Sequence, residues 1–225
     1  LGETHREVPV SLSDVASVLR LKGQLSAAES ILQQCLALNR DLRGENHPNT
    51  MMTLHDLALI DVGRGDQREA ERTFRTVLLR QREALGERHP VVAMTLNNLA
   101  YALTLQGRHD ESAAVLDASL DIARAALGPR HQLLAIYSIN KAQVEISRGH
   151  PESAEPLLRD ALETRALAPG LVPSRRRTFP EHDWSVAAVR SLLGEALVAQ
   201  RRYAGAQPLL LEARRELGHR ERRSH

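Results

Sequence analysis

Residues 86–131 read GERHPVVAMTLNNLAYALTLQGRHDESAAVLDASLDIARAALGPRH, and this stretch holds the unit from which the chain is built. Leu96, Leu99, Ala100 and Leu103 recur at the i, i+3, i+4, i+7 spacing that lines one side of an amphipathic helix. After Gly107 a second stripe begins, with Ser112, Leu116 and Leu120 four residues apart. Gly107 therefore falls in the turn of a helical hairpin. Gly86 and Gly128, each preceded by Leu, stand where a helix is expected to end in a left-handed residue, a backbone cheap only for glycine. Pro90 falls just ahead of the next stripe, where a first-turn proline loses no needed hydrogen bond.

The same punctuation returns every 42 residues. One glycine column is Gly2, Gly44, Gly86 and Gly128, continued by Gly170; another is Gly23, Gly65, Gly107 and Gly149. A histidine column, His5, His47, His89 and His131, keeps the same period. Small residues repeat as Ala16, Ala58, Ala100, Ala142 and Gly194, as Ala28, Ala70, Ser112, Ala154 and Ala206, and as Cys35, Val77, Ser119, Ala161 and Ala213. Such positions let the helices of a hairpin approach closely. Leu32, Phe74, Leu116, Leu158 and Leu210 fill the space between hairpins. A unit of this kind cannot bury its apolar side alone, so the copies must stack. Lys141, Glu145 and Asp61 interrupt the pattern at apolar positions, and Arg108 reads as an exposed residue whose loss costs little.

The pattern LNNLAYALTLQGRHDESAAVL (96–116) resembles the tetratricopeptide repeat, whose consensus runs Leu-Gly/Ala, Gly, Ala, a large apolar residue and Ala. LLGEALVAQRRYAGAQPLL (192–210) is closer still, with Leu193 and Gly194 at the signature pair. The usual repeat has 34 residues; the longer unit, with its recurring LG..HP....TLNNLA, looks like the long-helix variant of kinesin light chains. The resemblance spans residues 1 to about 218. It implies an all-α, right-handed α-solenoid of about five helical hairpins that binds protein segments. The expected organisation is four 42-residue repeats over 1–170, an irregular insert at 171–183, a fifth hairpin at 184–218 and a charged tail at 219–225. The insert (LVPSRRRTFPEHDW, 171–184) and the AEPLL of the fourth copy (154–158) look like the repeats C-terminal to some bacterial serine/threonine kinases. From that comes an alternative reading, a regulatory region of such a kinase, beside the leading one of a scaffold within a larger bacterial signalling protein.

Composition narrows the partner. Thirty basic residues against 28 acidic ones leave a net charge of +2, which gives no electrostatic case for nucleic acid or an anionic membrane. No apolar run approaches the ~20 residues of a membrane span, and no signal-peptide pattern opens the chain. It starts on Leu1, so upstream sequence is expected. A lone cysteine, Cys35, excludes an internal disulfide framework and fits a reducing compartment; its column marks it as a small packing residue. The expected location is cytoplasmic.

Repeating loops do not converge on one ion, so the histidines read as caps or packing residues, with no metal and no cofactor. No phosphate-cradling glycine loop, nucleophile elbow or kinase signature set is present, so no catalytic residue is assigned. Arg175, Arg176 and Arg177, near Phe179 and Trp184, read as a solvated loop whose tryptophan packs on the neighbouring hairpin, against the alternative of a contact for an acidic peptide or phosphate.

What remains is the side of each first helix turned roughly 130° from the packing stripe. It carries Met52, His55 and Leu59, then Met94, Asn97 and Tyr101, then Ile139 and Gln143, a candidate peptide-binding groove. The resemblance implies that Asn97 helps hold a bound peptide. The expected partner is a protein or peptide segment, with self-association as a homo-oligomer as a further possibility.

Overall fold

The computed structural model describes residues 4–166 and 186–221. Among them the periodic stripes form ten α-helices and no strand: α1 (Thr4–Leu21), α2 (Leu25–Arg43), α3 (Pro48–Arg64), α4 (Gln67–Leu85), α5 (Pro90–Leu105), α6 (His109–Leu127), α7 (Gln132–Ser147), α8 (Pro151–Ala166), α9 (Val186–Ala199) and α10 (Tyr203–Glu221). Gly2, Gly170 and the insert at 171–183 with its arginines and Phe179, together with Trp184 and the last residues of the tail, lie outside the described residues.

The helix starts explain the histidine column. His47, His89 and His131 are N-caps with extended backbone. Each ring Nδ1 accepts the amide N–H two residues on, from Asn49 at 3.1 Å, Val91 at 3.2 Å and Leu133 at 3.2 Å. Pro48 and Pro90 follow at the first helical position, where their missing N–H costs nothing. His5 sits inside α1, so the capping pattern begins with the second copy.

The helix ends depart from the left-handed cap expected of Gly86. Gly44 (φ 87°, ψ 170°) and Gly86 (φ 88°, ψ 158°) take positive φ with extended ψ, a region that is essentially glycine's own. Their amides still bond back to Arg40 and Arg82 at 2.9 Å, closing the last turn. In the fifth copy the turn glycine is replaced by Arg201, which adopts φ 59°.

The contacts divide the chain into two compact units, the first ending at Arg108 and the second beginning at His109. In the first, α1 to α5 pack each on the next, and the first helices α1, α3 and α5 also touch in sequence. Ala16, Ala28 and Leu32 meet Ile60 and Leu57 in its core. In the second, α6 to α10 pack likewise, and Ala142, Ala154, Leu158 and Ala161 meet Leu193, Ala196 and Ala206. The small columns are fully enclosed: Ala58, Ala100 and Ala142 are all 0% exposed. Cys35 is equally buried, its Sγ 3.5 Å from the Pro9 carbonyl oxygen, and burial pushes its thiol pKa up.

Successive hairpins are also tied by charge. Arg64 pairs with Glu29 at 2.6 Å, Arg108 with Glu71 at 2.6 Å and Arg148 with Asp110 at 2.8 Å, and Arg202 pairs with Glu155. Arg108 is thus no bland surface residue. Burial raises the Glu71 carboxyl, but hydrogen bonds from Gln106 and Arg75 and the Arg108 charge outweigh it and hold the pKa below the usual carboxylate range.

The three interruptions of the apolar pattern have different fates. Lys141 is buried, and its Nζ donates to the Ala113 carbonyl at 2.9 Å, to Asp117 at 2.8 Å and to Glu145 at 3.0 Å. Arg148 adds two bonds to Glu145 at 3.1 and 3.0 Å. Burial raises the Glu145 carboxyl, but Lys141 and Arg148 hold it below its ordinary value. At Asp61, burial, then Glu69, Asp66 and Glu29, outweigh the Arg64 charge and push its pKa up to about 6.

Candidate functional site

The first helices that carry the candidate groove are covered on most of their circumference. In α5 ten residues from Val92 to Leu103 are buried, Asn97 and Asn98 among them. The reason is the stacking itself: α5 packs on α4 and also touches α3, so a wet side predicted from one hairpin is partly roofed by the hairpin before it. Met52 on α3, Met94 and Tyr101 on α5, and Gln143 on α7 are half-buried and keep surface. His55, Leu59, Asn97 and Ile139 do not, at 0%, 1%, 2% and 2% exposure.

Two of these, His55 and Asn97, join Asn98 in a polar key inside the first unit. Asn98 Nδ2 donates to His55 Nε2 at 2.9 Å, which leaves the imidazole proton on Nδ1, 3.4 Å from Asp56 Oδ1. Asn97 Nδ2 donates to Asn98 Oδ1 at 3.3 Å. The His55 ring lies against Phe74, centroids 5.3 Å apart. A buried polar group without a partner costs about 1–3 kcal/mol, so this chain of bonds helps set which residues of α3 and α5 face each other. Asn97, to which the family resemblance gave a peptide contact, spends its amide on this network. The periodic pattern could not reveal it, because the network is closed by His55 on a helix one 42-residue repeat away.

Among the described residues no group of three or more His, Cys, Asp or Glu is arranged to hold a metal ion. No helix among them is long and apolar enough to cross a membrane.

A stack of two-helix units with small residues at the hairpin contact and a capping histidine at each inner start defines a helical-repeat protein of the α-solenoid class. The tetratricopeptide repeat profile matches residues 7–83, 68–116 and 91–166, most of the chain, and the chain belongs to that family. Solved structures agree on the fold. The kinesin light chain TPR-like repeats of Podosopora anserina are 23% identical, with 95% of this chain and 96% of that one covered and a TM-score of 0.72. BtubC (BKLC) from P. vanneervenii is 17% identical over 97% of this chain and 87% of its own, with a TM-score of 0.78. MamA from Desulfovibrio magneticus RS-1 is 14% identical over 95% of each chain, with a TM-score of 0.60. No curated protein matches the chain. The fold is thus shared with the kinesin light chain TPR-like repeats, and membership of the tetratricopeptide repeat family supports a protein–protein interaction scaffold.

Proposed function

We propose that the chain binds an extended or helical peptide segment of a partner protein along the first helices of the first unit, with Met52, Met94 and Tyr101 as the contact residues. The observation that supports this is the pattern of exposure. On helices with more than half of their residues buried, an adaptable methionine stays half-open at the same place in two successive copies, with Tyr101 two turns further on. Flexible thioethers with a directed hydroxyl suit capture of a peptide.

A peptide library selected on the full chain tests the reading. Selected peptides should bind a Met52→Glu, Met94→Glu, Tyr101→Ala variant at least tenfold more weakly, with thermal unfolding unchanged within a few degrees. Equal affinity for the variant would place the binding surface elsewhere. The finer reading, a module of a larger bacterial signalling protein, rests on resemblance; the domains encoded beside this chain test it.

A further inference from the structure

The three histidine caps share one chemical condition. Each works through the lone pair of Nδ1, so each requires a neutral imidazole with its proton on Nε2. Ser, Thr, Asn and Asp, the usual N-caps, keep an acceptor oxygen between pH 5 and 8; histidine alone gives it up in that range. A second proton turns Nδ1 into a donor pointed at another donor. It also sets a positive charge at the positive end of the helix dipole.

We propose that the starts of α3, α5 and α7 form a proton-sensitive latch, in which protonation of a capping ring removes its cap and frays the first turn of that helix.

The surroundings of the caps are cationic or balanced. At His47, burial and then Arg43 in the last turn of α2 lower the imidazole pKa, so the neutral form is favoured. Glu45 in the same turn is committed to Arg40 of α2 at 2.7 Å and to Arg80 of α4 at 3.1 Å. In the turn of His89, Glu87 is held by Arg82 of α4 at 3.0 Å. The turn of His131 carries Arg130, and α6 ends with Arg124 paired to Asp121 at 3.8 Å.

The sign follows for His47. A histidine whose folded pKa lies below its unfolded value gives stability that is present above the unfolded pKa and lost as pH falls through the folded one. Asp61, titrating near 6, acts in the opposite direction over part of the same range. The frayed turns lead directly into Met52 and Met94, but the latch exists whether or not those residues touch a ligand.

Full-length chain carrying Asp61→Asn isolates the effect. Its unfolding midpoint should fall by roughly 5 °C between pH 7.5 and 5.5, and a further His47→Asn, His89→Asn, His131→Asn set should remove most of that fall, since asparagine caps at either pH. His47→Asn alone should remove a measurable part of it, which keeps the test alive should the combined variant fold poorly. Nitrogen NMR of the rings at pH 7.5 should show Nδ1 unprotonated in all three. An equal fall with and without the histidines, or protonated Nδ1 at pH 7.5, overturns the latch.

Discussion

Asp61 and Glu145 occupy the same place in two copies of the repeat, 84 residues apart, where Leu19, Leu103 and Leu197 stand in the others. One carboxyl is pushed up to about 6 by burial and by neighbouring acids; the other is held below its ordinary range by Lys141 and Arg148. The difference is made one turn earlier. Lys141 replaces the leucine found as Leu57, Leu99 and Leu193, while Asp61 follows Leu57 itself. At that layer Ala113 stands where other copies have Glu29, Glu71 and Glu155, and Lys141 reaches the carbonyl of that same residue. The fourth copy thus exchanges an apolar contact for a built ionic one. The second copy carries a charge with no equivalent support. A repeat position has no fixed energy; its neighbours assign it.

Removing the lysine should break the contrast most severely. Lys141→Leu leaves Glu145, 4% exposed, with only Arg148 and His150, and should cost about 3 kcal/mol by denaturant unfolding. Lys141→Leu with Glu145→Leu restores the residues of the third copy and should return to within about 1 kcal/mol of wild type. A double variant as unstable as the single would mean the ionic layer is needed for the fold rather than exchangeable.

The opposite substitution sharpens it. Asp61→Asn removes a charge that the fold disfavours and should stabilise the chain by about 1–2 kcal/mol at pH 7.5, allowing for solvent screening at a half-buried site. Because its folded pKa is raised, the penalty is present above about pH 6 and disappears as pH falls toward the ordinary carboxylate range. The variant should therefore lose the part of the stability slope between those limits, and an unchanged pH profile would refute the assignment. Glu145 should behave the other way, its contribution fading only in stronger acid.

Two smaller effects extend the comparison to other columns. Arg108→Leu strips Glu71 of a 2.6 Å partner and should cost about 0.5–1 kcal/mol, where a bland surface position would show no change. Arg201→Gly restores the residue of Gly23, Gly65, Gly107 and Gly149 at a positive φ and should stabilise by about 0.5–1 kcal/mol in chemical denaturation. A loss of stability there would show that the arginine side chain holds the turn.

How much was legible depends on which contacts a residue makes. Helix phase, turn glycines, cap histidines and small columns are local or strictly periodic, so residues 86–131 alone announced hairpins and the spacing announced their stacking. Burial of the groove residues was not legible. Asn97 looked wet from the phase of α5, yet it is 2% exposed because α3 and α4 pack against that helix, and its amide bonds Asn98. Lys141 and Glu145 looked like flaws for the same reason: the partners of the lysine, Asp117 and Ala113, lie on another helix.

The amino-acid sequence by itself determined the repeat, its length, the helical hairpin and the family, because these follow from side-chain periodicity and backbone preference acting within one copy. Only the tertiary structure decided which of the candidate residues keep surface, which carboxyl is stabilised and which is strained. Those outcomes depend on distances between copies of unequal sequence, and desolvation and charge pairing act across those distances.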